Sequence, residues 1–157
     1  LKFYPDVKFH LLGEGSLVSD IKQFINSNNL AESVNFGFYK NTAEILSKTI
    51  IFVSLQKSTN YPSQSLLEAM ACGNAVVASD AGDTNLLINK ENGILVQLEL
   101  NSITKALEKL INQKELALQM GKRGSSDVRK IHSIENYTNY FLGLIENAYS
   151  KNNANPQ

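Results

Sequence analysis

The sequence predicts an α/β fold, a parallel sheet flanked by helices, and three observations carry that expectation. Short apolar runs rich in Val, Ile and Phe recur along the 157 residues. Segments of helical period separate them, in the βαβα order that a helix-covered parallel sheet requires. A hydrophobic content of 43% is enough to build one sizeable core.

The elements follow in order. Val7 to Leu12 is the first apolar run and closes on Gly13-Glu14-Gly15. Leu17, Ile21, Phe24 and Ile25 then keep helical spacing to about Asn28, with Ser16 placed to serve as N-cap. Val34 to Phe36 reads as a short strand and Thr42 to Leu46 as a small helix. Thr49 to Ser54 holds four consecutive apolar residues, which predicts a central strand buried on both faces. A polar loop from Leu55 to Pro62 leads into a helix beginning near Ser63 and ending at Gly73, where a left-handed cap is expected.

Ala75 to Ser79 is the next buried strand, followed by a turn at Asp80 to Asp83 and a short helical stretch through Ile88. Gly93 to Val96 is the fifth strand. Ile103, Ala106, Leu107, Leu110 and Ile111 share one helix face. Leu116, Met120 and Val128 begin a less regular stripe that Gly121 and Gly124 interrupt. A last helix, about Ile134 to Tyr149, carries Tyr137, Tyr140, Phe141, Leu144 and Ala148 as an apolar stripe, destined either for the core or for a partner surface. One domain is expected over residues 1–151, with 152–157 a disordered polar tail.

Composition narrows the function. Fifteen Lys and Arg balance fifteen Asp and Glu, so no basic excess marks a nucleic-acid surface. The longest apolar runs are four residues, far short of the ~18 a spanning helix needs. One cysteine, Cys72, excludes an internal disulfide and a cysteine-based zinc site, and two distant histidines, His10 and His132, have no metal-ligand spacing, so no metal is expected; no cofactor is expected either. The cytosol is the default compartment. The chain starts Leu1-Lys2-Phe3-Tyr4, without an initiator Met or signal peptide, which suggests a part of something longer.

The informative stretch is Tyr61-Pro62-Ser63-Gln64-Ser65-Leu66-Leu67-Glu68-Ala69-Met70-Ala71-Cys72-Gly73. It sets a helix N-terminus at the carboxyl end of a buried parallel strand, the place where open α/β sheets bind ligands. The amides of Ser63, Gln64 and Ser65, with the helix dipole behind them and two hydroxyls beside them, suit phosphate oxygens. Pro62 fits where an N–H would lack an intrahelical partner. Glu68, between Leu67 and Ala69, is expected to be buried. It lies roughly 7.5 Å along the axis from Ser63, about the span from a nucleotide's diphosphate to its ribose diol. The alternative is a carboxylate that caps a loop or faces solvent.

The run Ser54 to Val96, with its Tyr-Pro-Ser-x-Ser-Leu-Leu-Glu-Ala-Met-Ala-x-Gly core, resembles the nucleotide-sugar-binding half of the retaining glycosyltransferases of GT-B fold, group 1 or family 4. Leu11 to Ser16 looks like that family's Gly-x-Gly loop, through Gly13 and Gly15. The resemblance implies a Rossmann-like C-terminal half of a GT-B fold, lacking its first strand-helix unit and an entire acceptor-binding domain. It implies a nucleotide-diphosphate sugar, UDP-linked among others, as donor substrate, with retention of anomeric configuration.

By the same resemblance, Glu68 holds the donor ribose, Ser63, Gln64 and Ser65 hold the diphosphate, and Phe38 is placed to stack on the base. Asn60 stands where the family has a first Glu that contacts the transferred sugar, and Leu86 where it has a further Glu. Gly82-Asp83 replaces its usual Gly-Gly. An amide at position 60 can bond sugar hydroxyls but supplies no negative charge to an oxocarbenium-like transition state. A non-catalytic sugar-nucleotide-binding module with a degenerate site is therefore the alternative. Lys57 is a candidate phosphate partner, and neither His10 nor His132 is expected to be catalytic. The acceptor, a glycan or lipid-linked glycan in polysaccharide biosynthesis, would be met through the missing domain. Peripheral contact of the full-length protein with the inner membrane surface is compatible with this reading.

Overall fold

The computed structural model describes residues 4–153. Two compact units divide the chain, Leu1–Thr42 and Ala43–Gln157. In the first, strands β1 (Phe9–Leu12) and β2 (Val34–Gly37) pair in parallel with Phe9 opposite Val34. Helix α1 (Val18–Ser27) crosses between them and buries Ile25. Its N-cap is Leu17 with no side-chain cap bond, so Ser16 does not take the capping role its type suggested.

In the second unit, α2 (Thr42–Leu46), which begins at the boundary, leads to β3 (Ile51–Ser54). The carboxyl of Glu44 in α2 is held below the usual carboxylate range by the hydrogen bond and charge of Lys48. Helix α3 (Gln64–Ala71), β4 (Ala75–Ser79), a 3-10 turn (Gly82–Leu86), β5 (Gly93–Val96), α4 (Leu100–Asn112), α5 (Lys114–Ile131) and α6 (Ile134–Asn153) follow. The parallel strands lie in the order β3-β4-β5. The central strand of this unit is therefore β4, buried at all five positions, while Ile51, Phe52 and Val53 of β3 are only half-buried. Apolarity alone did not distinguish the two, because flanking and central strands of a covered sheet carry the same residue types.

Alternate residues of β4 supply the two halves of the core. Val76 and Ala78 join Leu66 and Met70 of α3, Ile88 and Val128 on one face. Ala75 and Val77 join Ala106 and Leu110 of α4, Ala117 and Met120 on the other. Helix α5 thus contributes to both clusters, and it runs unbroken through Gly121 and Gly124, both buried. The glycines do not interrupt the helix. A Cβ on Gly121 would overlap the Gly73 carbonyl oxygen and lie 2.8 Å from its carbon, so only glycine lets α5 cross the α3–β4 turn.

That turn is tightly specified. Gly73 adopts φ +85°, its N–H donates to the Met70 carbonyl (2.9 Å) and the Asn74 N–H to that of Ala69 (3.1 Å). These are the paired bonds of a Schellman cap. The fully buried Asn74 amide donates to the carbonyls of Leu46 and Thr49, which ties the segment before β3 to the turn before β4.

The stripe on α6 does not enter the core. Tyr137 is 65% exposed, Tyr140, Phe141 and Leu144 are also exposed, and Tyr137 and Phe141 contact each other, with ring centroids 5.1 Å apart. Asn152 and Asn153 still belong to α6, and the rest of the expected tail, 154–157, lies outside the described residues.

Candidate functional site

Both β3 and β4 end in a buried serine, Ser54 and Ser79, and the crevice opens at these carboxyl ends. Its walls are the strand ends Ser54 of β3 and Ser79 of β4, Gln56, Asn60, Tyr61 and the N-cap Ser63 from the β3–α3 connection, Leu66 from α3, and Thr84 and Leu87 from the β4–β5 connection. No ionisable acid or base other than the Tyr61 phenol is among these walls. Of the residues that the sequence motif singles out, Asn60 and Ser63 are in this lining. Gln56, Tyr61, Ser79 and Thr84 join them without having been expected. The sequence shows a serine closing each of two apolar runs, but only the parallel pairing of β3 and β4 brings the two to one carboxyl edge, where strand ends face the ligand crevice.

Helix α3 begins here with Ser63 as N-cap, in extended conformation (ψ 118°), and no side chain caps its first turn. The Ser63 hydroxyl lies 3.3 Å from that of Ser65 instead. Pro62 precedes the N-cap, two residues before the first helical position, and the Tyr61-Pro62 bond is cis. An N-terminus with unpaired amides and two adjacent hydroxyls is a site for an anion.

Glu68 is exposed, contrary to the expectation of burial. Leu66, Ala69 and Met70 form the buried face of α3, which leaves Gln64, Ser65 and Glu68 together on the open face. The Gln64 side-chain amide donates to Glu68 Oε1 (3.1 Å), one turn apart. The carboxylate keeps acceptor capacity toward a diol. The solvent-facing half of the alternative reading is thus observed in geometry, and the same exposure leaves Glu68 accessible to a ligand that runs along this face.

In the first unit, Gly13 (φ +154°) and Gly15 (φ +149°) follow the carboxyl end of β1, and the Gly13 N–H donates to the Gly37 carbonyl (3.0 Å). Phe38, 67% exposed, directly follows β2, so these residues share one edge of the β1–β2 pair. Lys57 is exposed and Cys72, at the C-cap of α3, is partly buried. His10 Nδ1 is buried without a hydrogen-bond partner, and His132 caps α5. Leu86 is 68% exposed at the end of the 3-10 turn. No cluster of three or more metal-ligating side chains occurs among the described residues, and none of their helices is long and apolar enough to cross a membrane.

Parallel strands that end in serines, a polar loop and the open amino end of a helix form a crevice at the place where open α/β sheets take ligands. The chain belongs to the glycosyl transferases group 1 family, whose model matches residues 1–127. Its fold is that of a GT-B C-terminal domain. It is 30% identical over 144 residues to the poly(ribitol-phosphate) alpha-N-acetylglucosaminyltransferase of Staphylococcus aureus, covering 88% of this chain and 29% of that protein.

A second relative, the N-acetylgalactosamine-N,N'-diacetylbacillosaminyl-diphospho-undecaprenol 4-alpha-N-acetylgalactosaminyltransferase of Campylobacter jejuni, is 31% identical over 71% of this chain and 31% of its own length. Among solved structures, a variant of S. aureus TarM in complex with UDP and alpha-GlcNAc-glycerol superposes with TM-score 0.80 at 27% identity, over 91% of this chain and 30% of that one. The C-terminal domain of a group 1 family protein from Francisella tularensis superposes with TM-score 0.74 at 28% identity, over 85% and 74%. The chain spans about a third of the length of the curated relatives it matches.

Proposed function

We propose that this chain is the donor-binding part of a retaining glycosyltransferase that moves a sugar from a nucleotide-diphosphate sugar to a glycan or lipid-linked glycan. The observation that carries the reading is the start of α3, where no side chain caps the amides of the N-cap Ser63 and of Gln64 and Ser65, and where Gln64 and Ser65 share the open face with the Glu68 carboxylate one turn on. The amides take the diphosphate and Glu68 takes the ribose diol through charge-assisted bonds. Asn60, on the crevice wall, takes hydroxyls of the transferred sugar. The helix dipole and the amides at the start of α3 stabilise the leaving diphosphate, so no metal is required.

A UDP-linked N-acetylhexosamine is the donor to try first. The two named relatives carry N-acetylhexosaminyl transfer in their names, and TarM was solved with UDP. The acceptor-binding domain is assigned to the remainder of a longer protein, so the chain by itself binds donor and transfers nothing. Calorimetric titration with a panel of UDP- and GDP-sugars tests the reading. Binding of at least one sugar nucleotide, with its free nucleoside diphosphate competing, is expected, whereas a chain that binds none of them is not a donor domain.

A further inference from the structure

We propose that Gly82 is a positioning residue for Asn60: the lack of a side chain at Gly82 lets the β4–β5 connection press on Thr59 and so sets where the neighbouring Asn60 stands in the crevice. This deepens the donor reading and rests on the assignment of Asn60 to the transferred sugar.

The β3–α3 connection has little of its own to hold it. Among the described residues, no backbone hydrogen bond forms between Lys57 and Pro62, and the Asn60 side chain has no partner. Two attachments remain, one to the end of β4 and one to the β4–β5 connection. At the base, the buried Ser79 hydroxyl (2% exposed) accepts the Gln56 N–H and donates to the Gln56 carbonyl, both at 2.8 Å. Three residues on, Thr59 packs against Gly82 so closely that a Cβ on Gly82 would overlap Thr59 Cβ and come within 2.5 Å of its Oγ1 and 3.0 Å of its Cα.

Gly82 also sits at φ +54°, in the left-handed region that favours glycine. The following 3-10 turn is itself fixed, because the Thr84 hydroxyl donates to the Ala81 carbonyl (2.7 Å). Thr84 and Asn60 both line the crevice. A methyl at position 82 meets backbone as well as side chain, so it must displace the segment that carries Asn60 while leaving Ser63, Gln64, Ser65 and Glu68 on their helix.

The test compares Gly82→Ala with the pair Gly82→Ala/Thr59→Gly, which trims the obstructing side chain, in NMR titrations of the 157-residue chain with UDP-N-acetylglucosamine and with UDP. Gly82→Ala is expected to weaken the sugar nucleotide about three- to tenfold, the loss of one neutral hydrogen bond, with UDP affinity unchanged. The double variant is expected to recover most of the loss. An unchanged ratio between the two ligands, or a double variant as weak as the single one, would overturn the proposal.

The amide signals of residues 57–61 decide it independently of any ligand. They are expected to move in Gly82→Ala and to return toward their places, apart from position 59 itself, in the double variant. Unmoved signals contradict the positioning role. Should the wild-type chain bind neither ligand, the donor reading fails while these signals still judge the packing. If Gly82→Ala does not fold, recovery of folding by Thr59→Gly supports the contact, and its failure assigns Gly82 to backbone conformation alone.

Discussion

Glu68 and Asn60 stand on the same strand-loop-helix unit and are suited to different parts of a donor. A carboxylate that accepts two hydroxyl protons from a ribose forms charge-assisted bonds, stronger than neutral ones by on the order of 1 kcal/mol. Glu68→Gln keeps the shape and removes the charge, so it should weaken UDP binding about tenfold in calorimetry. Equal affinities would remove Glu68 from the ribose. Asn60→Ala should instead weaken UDP-N-acetylglucosamine and leave UDP alone, which a paired titration resolves.

The identity of both residues was legible from the motif, but the exposure of Glu68 was not. Its sequence neighbours Leu67 and Ala69 are poor guides, because successive residues on a helix point about 100° apart. The residues that share its face are Gln64 and Ser65, four and three positions earlier, and both are polar and exposed. The serines that end β3 and β4 were hidden for the opposite reason. Hydroxyls at strand ends are common, and only the parallel pairing of the two strands puts them in one crevice.

Among the elements, α5 shows how a helical stripe is hidden by glycine. Ala117, Met120, Gly121, Gly124 and Val128 are its buried residues, all on one face, so the stripe is regular once glycines are counted as core positions. Gly121→Ala must push α5 off the turn at Gly73 and should cost about 1 to 3 kcal/mol, read as a lower urea midpoint. Gly143, in the middle of α6, has open space where a methyl would stand, with nothing within 4 Å. Gly143→Ala should therefore favour the helix by roughly 0.5 to 1 kcal/mol, seen as increased helical circular dichroism.

The strand and helix order was readable throughout, because each element carries its own period and its own stop signal, such as Gly73. Strand rank within the sheet was not, since pairing order is a tertiary property. Helix α6 was legible as amphipathic. Its apolar residues are exposed here, and a groove between its start and Leu67 of α3 is lined by Ile131, Ile134, Tyr137 and Tyr140.

For the chain as a whole, fifteen basic residues balance fifteen acidic ones, so under the proposed function a dianionic donor would be held by local dipoles and hydrogen bonds. Donor affinity should accordingly depend weakly on salt, which titrations at low and physiological ionic strength would show. The chain belongs to the glycosyl transferases group 1 family and spans about a third of its relatives' length, and the proposal that it binds donor without turnover starts from these two facts. The most direct test of the central assignment is an NMR titration of the isotopically labelled chain with UDP-N-acetylglucosamine. The amide signals of Ser63, Gln64, Ser65 and Glu68 are expected to move together and saturate with one constant; no movement at these four residues, while others respond, would contradict the assignment.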